Sequence, residues 1–495
     1  MTWDTGVPLD AATLRNLGSD IATPAYDRAE ITTGIVHFGV GGFHRAHQAM
    51  YLDRLLERGE AREWGICGVG VLPGDRRMRD VLTAQNGLYT LSVLAPDGGW
   101  TARVIGSIVE YLYAPDDPEA VLAKLAAPST RIVSLTVTEG GYHISATTGE
   151  FAAEDPAIQA DLAPDAVPAT IFGLITEGLA RRRARGIAPF TVLSCDNIEG
   201  NGEVARKTFS AFARLRDAEL GDWVAAEVRF PNSMVDRITP VTPPDAAAEV
   251  ERRFGVRDGW PVVTEPFTQW VLEDSFTLGR PDYGAVGVQL VDDVAPYELM
   301  KLRLLNASHQ ALAYFGYLSG YRLVHDAALD PVFRRFLLRY MDAEATPTLL
   351  PVPGVDLAEY KQTLIERFAN PAIGDTIARL CAESSDRIPK WVLPVIRRRL
   401  ADGGEITCAA ALVASWARYA EGTDEQGEPI EIVDRLRERL GPLARRQRTD
   451  RTAFLSDREV FGDLIDEPRF VREYVAALDS LYAKGARATV AELAG

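Results

Sequence analysis

A glycine-rich turn between a predicted strand and a predicted helix constrains the fold of this chain more than any other feature. Residues 34–39 are predicted to form a short strand and residues 49–56 a helix. A turn of this kind lets a pyrophosphate approach backbone N–H groups at the start of a helix. A lone glycine cluster is a simple tight turn about half the time, so its neighbours decide the interpretation. The candidate ligand-binding residues of the turn are Gly39, Val40, Gly41, Gly42 and Phe43.

The turn departs from the usual fingerprint at its third glycine. His44 stands at that position, and Ala46 is small enough to allow contact between helix and strand. His44 and His47 are one helical step apart, but no third ligand follows at a suitable spacing. We therefore expect no metal site here.

An acidic residue follows the second predicted strand, which covers residues 64–71. Asp75 lies just beyond its end, where a carboxylate accepts hydrogen bonds from the adenosine ribose and repels a 2′-phosphate. This favours NAD over NADP. Asp75 comes 36 positions after Gly39, however, against the usual spacing of about 20. The adjacent Arg76 and Arg77 could instead receive a phosphate.

Strands and helices alternate through the first part of the chain. Residues 131–137 and 190–194 are predicted buried strands, and residues 168–185 a long helix between them. Beyond Pro296 almost every segment has helical periodicity, which places a domain boundary near residue 293. A chain of 495 residues exceeds what one hydrophobic core usually covers, so two domains are expected. The arginine runs 181–183 and 397–399 are predicted to be solvated helix faces or ends.

Charge and cysteine content exclude several classes of function. A net charge of −17 argues against a nucleic-acid partner, because phosphate binding needs clustered cations. The cysteines lack the paired spacing of a zinc site or redox pair, which favours a reducing, cytoplasmic setting. The start of the sequence resembles no signal peptide, and no apolar run is long enough for a membrane span. The four cysteines are Cys67, Cys195, Cys381 and Cys408.

A predicted helix from Pro296 to Gly316 carries the main catalytic candidates. At about 100° per residue with Lys301 at zero, Glu298 falls at about 60°, His309 at about 80° and Asn306 at about 140°. These four side chains share one sector. The water-facing strip is predicted elsewhere, at Arg303 and Gln310.

Lys301 could be a purely structural residue or a group that takes part in the chemistry. On a helix met at random, a lysine reaching to water beside a core histidine is the commoner case. This chain, however, has 6 Lys and 47 Arg, so a lysine beside a histidine and an asparagine suggests a chemical requirement. Arg stays protonated, whereas a desolvated Lys can lose its proton and act as a base. The sequence thus favours a proton-transfer role for Lys301.

Two further polar groups stand next to predicted strands. Asn197 follows strand 190–194 and either caps the next helix or donates its amide N–H to a substrate oxygen. Asp236 lies beside Arg237, and the two could form only a local ion pair.

These segments resemble the polyol-specific long-chain dehydrogenases/reductases over nearly the whole chain. The Asn-Ser-Met-Val-Asp-Arg-Ile-Thr-Pro run at 232–240 and the Lys-x4-Asn-x2-His spacing from Lys301 are specific, while the glycine turn alone is not. The resemblance implies an α/β fold in which an expanded Rossmann-type N-terminal domain (1–292) precedes a mostly α-helical C-terminal domain (293–495), the substrate-binding domain.

The resemblance also implies roles for individual residues. Lys301 would be the general acid/base, with Asn197 and Asn306 polarising the reacting oxygen and His309 positioning the substrate. Glu298 would exchange the proton of the lysine with water. Mannitol enzymes of the family commonly have Lys where Arg387 stands, which leaves the substrate preference open. The residues expected around the polyol are Asp236, Arg379 and Arg387.

The implied activity is NAD-dependent, metal-independent oxidation of an acyclic polyol to its 2-ketose and the reverse, with D-mannitol and D-fructose as the expected pair. D-Arabinitol oxidation, or reduction of fructuronate or tagaturonate through a carboxylate bound by Arg379 or Arg387, are the alternatives. A non-catalytic NAD sensor would have no chemical reason to keep the Lys301 set. We expect a cytoplasmic monomer without nucleic-acid or membrane partners.

Overall fold

A computed structural model describes residues 6–145 and 149–495. Contacts between residues divide the chain into two compact units. The first runs to Val294 without Pro96–Gly98, and the second is Ala295–Gly495 together with Pro96–Gly98.

The first unit is organised on parallel strands. In its described residues the central sheet has five parallel strands in the order β6-β3-β2-β7-β8. Three smaller sheets pair β1 with β10, β4 with β5 and β11, and β12 with β9 and β13. The strands are β1 (Val7–Pro8), β2 (Thr33–Phe38), β3 (Gly65–Gly70), β4 (Tyr89–Leu94), β5 (Trp100–Ile105), β6 (Ile108–Tyr113), β7 (Ile132–Leu135), β8 (Thr191–Ser194), β9 (Ser233–Asp236), β10 (Val256–Arg257), β11 (Val262–Thr264), β12 (Gln269–Glu273) and β13 (Gln289–Val291).

Helices cover both faces of the central sheet. Along β2, Ile35 belongs to a core shared with α2, and its neighbour Val36 belongs to a second core shared with α6, because successive strand residues point to opposite faces. Two-sided burial explains why these strands are continuous apolar runs. The helices of this unit are α1 (Gly42–Ala46), α2 (Gln48–Glu57), α3 (Arg76–Ala84), α4 (Pro118–Ala126), α5 (Pro156–Leu162), α6 (Ile171–Ala184), α7 (Asn201–Arg216), α8 (Ala218–Glu227) and α9 (Ala246–Phe254).

The strand order reverses at β2. From there the chain passes to β3 on one side, and β7 later pairs with β2 on the other side, with Phe38 beside Leu135. Open α/β sheets bind ligands beyond the carboxyl ends of their strands at such a switch point. The glycine turn after β2 and the loop after β7 therefore lie at the expected ligand position.

The second unit is helical in its described residues. Two helical segments use π-type hydrogen bonding, Lys301–Asn306 between α10 and α11, and Tyr340–Ala345 after α13. The helices are α10 (Ala295–Met300), α11 (Ala307–Leu318), α12 (Val324–Leu329), α13 (Pro331–Arg339), α14 (Leu357–Phe368), α15 (Ile377–Cys381), α16 (Ser384–Trp391), α17 (Leu393–Ala401), α18 (Thr407–Tyr419), α19 (Arg437–Arg446), α20 (Arg458–Phe461), α21 (Pro468–Lys484) and α22 (Ala486–Ala494).

The α/β class predicted from the sequence is confirmed, with a parallel sheet first and helices after it. The prediction for the arginine run at 181–183 is wrong for Arg182, which is fully buried. Its guanidinium donates to the carbonyls of Leu125, Ala127, Thr130 and Ala188. Periodicity did not reveal this role, because the acceptors come from another segment. No helix in residues 6–145 and 149–495 is long and apolar enough to cross a membrane.

Candidate functional site

The glycine turn has the geometry of a ligand cradle. Gly39 has φ of +89°, and a Cβ at this position would collide with the Thr136 carbonyl oxygen, so only glycine fits. At Gly41 and Gly42 an added Cβ would find its nearest neighbours at 3.8 and 3.5 Å, which leaves space above the backbone. Binding of a dinucleotide diphosphate by this turn stays a prediction.

Histidine at the third fingerprint position is accommodated by stacking. The ring of His44 lies on that of His37, with centroids 3.4 Å apart and an interplanar angle of 13°. Burial, together with the charge of Arg45 beside it, holds the pKa of His44 well below its usual range, so the ring is neutral. Phe43 stacks on His47 at 4.9 Å. The departure from glycine thus places aromatic rings beneath the turn.

Asp75 stands at the end of β3, as predicted. Its Oδ2 accepts hydrogen bonds from the N–H groups of Val71 and Leu72, each at 2.9 Å. The other oxygen makes no hydrogen bond within the described part of the chain, so it can accept a ribose hydroxyl. Arg77 stacks on the ring of Trp260, 4.2 Å from its centroid. Binding of the ribose by Asp75 stays a prediction.

The segment after β8 joins two loops at the carboxyl edge of the sheet. Buried Asp196 accepts from the N–H groups of Val137 and Thr138 and from the Tyr142 hydroxyl. Burial raises the pKa of Asp196, while these donors oppose the shift. Thr138 has φ of +65°, a strained conformation for a β-branched residue that these bonds stabilise. Sequence analysis missed Asp196; the exposed neighbour Asn197 was the residue it selected.

Asp236 ends β9 and is buried. Its neighbour Arg237 donates to the carbonyls of Ala46 and Glu265, and burial lowers the pKa of Arg237 to about 10. Arg237 therefore has a structural role, since its guanidinium connects the backbone at Ala46 with the backbone at Glu265. The place of Asp236 in substrate binding stays a prediction.

The predicted catalytic residues of the second unit, and Glu298 which was predicted beside Lys301, are all less than a tenth exposed: Glu298, Lys301, Asn306 and His309. Lys301 begins the π segment and Asn306 ends it. A π segment bonds residue i to i+5, so each residue advances the helix by less than in an α-helix. Asn306 and His309 therefore lie closer to the direction of Lys301 than a uniform 100° predicts. π segments are frequent at functional sites.

The side chain of Asn306 has unused hydrogen-bonding capacity. Its Oδ1 is buried and has no hydrogen-bond partner in the described residues, and none is seen for its amide nitrogen. Buried polar groups are nearly always paired, so an unpaired amide indicates a position for a ligand. The ring of His309 packs on Phe368 at 4.2 Å, which fixes its orientation.

The prediction of a water-facing strip at Arg303 and Gln310 is wrong. Gln310 is fully buried and donates to the Leu380 carbonyl at 3.1 Å, and Arg303 is half-buried with its guanidinium on the Thr348 carbonyl. The physical reason is that this helix is surrounded by other helices. Gln310 links the Lys301 helix to the end of α15, a role sequence analysis missed.

The two predicted substrate arginines lie on neighbouring helices, Arg379 in α15 and Arg387 in α16. Arg379 is exposed and holds the Asp375 carboxylate with two N–H groups, and this raises the pKa of Arg379. Arg387 donates to the Leu380 carbonyl at 2.9 Å, and burial lowers the pKa of Arg387. Both Arg387 and Gln310 thus meet at Leu380. Their contact with a substrate stays a prediction.

Metal ligands are not gathered in the residues that the structure describes. No group of three His, Cys, Asp or Glu side chains there is arranged to hold an ion.

The parallel sheet, its switch point and the glycine turn define a Rossmann-type nucleotide-binding fold. Two protein-family models match the chain, "Mannitol dehydrogenase Rossmann domain" over residues 33–284 and "Mannitol dehydrogenase C-terminal domain" over residues 293–482. The chain therefore belongs to the mannitol dehydrogenase family of oxidoreductases.

Known relatives cover nearly the whole chain. A mannitol 2-dehydrogenase of Aspergillus fumigatus is 46% identical over 480 residues, 96% of this chain and 95% of that protein. The solved ternary complex of Pseudomonas fluorescens mannitol 2-dehydrogenase with NAD and D-mannitol is 48% identical with a TM-score of 0.87, covering 98% and 99% of the two chains. A substrate-free D-sorbitol dehydrogenase is 38% identical with a TM-score of 0.91, covering 97% of this chain and 100% of that one.

Proposed function

We propose that this protein oxidises D-mannitol to D-fructose with NAD and catalyses the reverse reduction. The observation that carries the proposal is the buried set of Lys301, Asn306 and His309 around one π segment. The Pseudomonas fluorescens enzyme, solved with NAD and D-mannitol, supports this choice of ligands because it matches nearly the whole chain.

Lys301 is assigned as the general base. Oxidation of a secondary alcohol needs a group that accepts the hydroxyl proton as the hydride leaves carbon. NAD, when bound in the cradle of the glycine turn, supplies the hydride acceptor. Glu298, three residues before Lys301 on the same buried stretch, is assigned to pass the proton on to water.

Asn306 and Asn197 are assigned as donors to the reacting oxygen. Fixed donors aimed at developing negative charge are among the strongest contributions to catalysis, because they need no reorganisation during the reaction. Asn306 can serve because its amide makes no bond in the described residues. His309, held by Phe368, orients the substrate, and Asp236, Arg379 and Arg387 are assigned to the remaining hydroxyl groups.

A substrate panel tests the proposal. We expect NAD-dependent oxidation of mannitol to exceed that of arabinitol and sorbitol, and fructose to be reduced with NADH. Faster reduction of fructuronate or tagaturonate would instead assign Arg379 and Arg387 to a substrate carboxylate. Failure of every polyol and uronate to react, with NADH binding intact, would favour the sensor interpretation.

D-Sorbitol is the second candidate substrate. The likeness to a D-sorbitol dehydrogenase, with a TM-score of 0.91, favours it independently. Mannitol and sorbitol differ in configuration at a single carbon, so the panel must compare kcat/KM for the two polyols. A higher value for sorbitol would replace mannitol in the proposal.

We also propose that the protein acts as a cytoplasmic monomer without nucleic-acid or membrane partners. Its net charge of −17 supports this, since like-charged copies and phosphate backbones are repelled. Light scattering after size exclusion should give a mass near 54.2 kDa. A value of twice that mass would contradict the monomer.

A further inference from the structure

A row of buried hydrogen bonds ends on the carbonyl of Gly39. The Gln48 carboxamide lies 2.9 Å from Ser134 Oγ, which lies 2.8 Å from His37 Nδ1. His37 Nε2 lies 2.9 Å from Thr136 Oγ1, and the Thr136 hydroxyl donates to the Gly39 carbonyl at 2.6 Å. None of these four side chains has a part in the chemistry assigned above.

The row has one consistent direction of donation. A hydroxyl has one proton, so if Thr136 donates to Gly39 it must accept from His37 Nε2–H. Burial lowers the pKa of His37 to about 3, so the ring is neutral and its Nδ1 accepts from Ser134. With its oxygen towards Ser134, the Gln48 carboxamide leaves Nε2 without an acceptor, and a half-turn lets that nitrogen donate to Ser134 instead.

The end of the row determines which way a peptide group points. The Gly39 carbonyl also accepts from the Gly41 N–H at 2.7 Å, so it is held inward from two sides. In a trans peptide the carbonyl and the following N–H point in opposite directions. The Val40 N–H therefore points outward, and it has no acceptor in the described residues.

A peptide after glycine needs such a restraint. Without a Cβ, glycine tolerates many more combinations of φ and ψ than other residues, so rotation about ψ of Gly39 could turn the peptide between Gly39 and Val40 in the absence of these bonds. Fixing a binding group in its bound orientation lowers the cost of binding.

We propose that His37 and Thr136 are positioning residues for the cofactor, which aim the Val40 N–H at a diphosphate oxygen of NAD through the Gly39 carbonyl. This inference rests on the proposed use of NAD. It assigns a role to a buried histidine that binds neither substrate nor cofactor itself.

Thr136→Val tests the proposal because it removes the hydroxyl at nearly constant volume. We expect the Kd for NADH, measured by its fluorescence, to rise about tenfold, and the Ki of ADP-ribose to rise equally. The Ki of adenosine, which lacks the diphosphate, should stay unchanged. Thr136→Ser keeps the hydroxyl and should restore native NADH affinity.

Two further variants complete the experiment. Ser134→Ala breaks the row one step earlier and should weaken NADH binding in the same selective way, also if Thr136→Val does not fold. Thr176→Val is the matched control, because it removes another buried threonine hydroxyl from α6, one that makes no hydrogen bond within the described residues. It should leave every binding constant unchanged.

Each outcome decides the matter. Native NADH affinity in Thr136→Val and Ser134→Ala would overturn this inference and leave the proposed function intact. Equal loss of adenosine and ADP-ribose affinity would also overturn it, because general disruption would then be the cause. If the native protein bound no NADH, both proposals would fail.

Discussion

Lys301 is buried and begins a π segment, in a chain that has 6 Lys and 47 Arg. If Lys301 accepts the alcohol proton, Lys301→Ala should lower kcat for mannitol oxidation by about 10²- to 10⁴-fold or more. This is the size of effect that general acid–base groups typically contribute, roughly 10²- to 10⁴-fold. Native oxidation should rise with pH as the ammonium loses its proton, and this dependence should vanish in the variant. The measurement is a pH profile of kcat, with NADH binding as the test of folding.

Lys484→Ala provides the control, since Lys484 is exposed and pairs only with Glu492 in the described structure. It should retain native turnover. Near-native turnover and an unchanged pH profile in Lys301→Ala would show that Lys301 is only a structural residue whose side chain reaches to water.

Asp75 should control the choice between NAD and NADP. Asp75→Asn removes the charge but keeps an oxygen that can accept from Val71 and Leu72, so the turn after β3 should persist. We expect kcat/KM for NADP to rise and that for NAD to fall. Kinetics with both cofactors measure the effect, and unchanged NADP use would show that Asp75 does not face the ribose.

Arg379 offers a separate test of substrate binding. Arg379→Ala should raise KM for mannitol and leave the Kd for NADH nearly unchanged, because the assigned cofactor residues lie elsewhere in the chain. Asp375→Asn weakens the ion pair that holds this guanidinium and should raise KM less. An equal loss of affinity for both ligands would indicate a structural role for Arg379.

At the level of elements, the buried guanidinium of Arg182 joins α6 to the end of α4 and the approach to β7 and β8. Arg182→Met should lower the free energy of unfolding by about 3 kcal/mol, because the buried carbonyls that accept from this guanidinium lose their hydrogen-bond donor. Urea denaturation measures the loss, and turnover of the folded variant should be native. Arg398→Met, at an exposed helix position, should stay within about 0.5 kcal/mol of native.

Several strands and helices were predicted correctly from the sequence, because the pattern that determines them lies within each segment. Apolar runs such as residues 131–137 and 190–194 became β7 and β8 because burial on both faces requires continuous apolar residues. The helix after Pro296 was predicted, but its π segment was not, since apolar spacing is compatible with a uniform α-helix. The burial of Gln310 and Arg182 depends on distant segments, and periodicity within one element does not encode it.

At the level of the whole molecule, activity should not depend on a metal ion. No ligand group of three is seen in the described residues, and Lys301 is assigned the proton transfer that a metal-bound group would otherwise assist. Dialysis against a chelator should leave mannitol oxidation and the unfolding midpoint unchanged. Loss of activity that zinc restores would overturn the lysine mechanism.

The π segment at Lys301–Asn306 also makes the site sensitive to how its helix is hydrogen-bonded. A π segment holds one residue more than an α-helix needs for the same hydrogen-bonded path, so it behaves as a single-residue insertion. If the stretch kept its length but took ordinary α-helical bonding, each residue would again advance the helix by about 100°, and everything after it would turn away from its present direction relative to Lys301. Asn306 and His309 would then keep their identity and lose their direction. The hydrogen bonding of this segment is therefore as much a part of the site as its residue types.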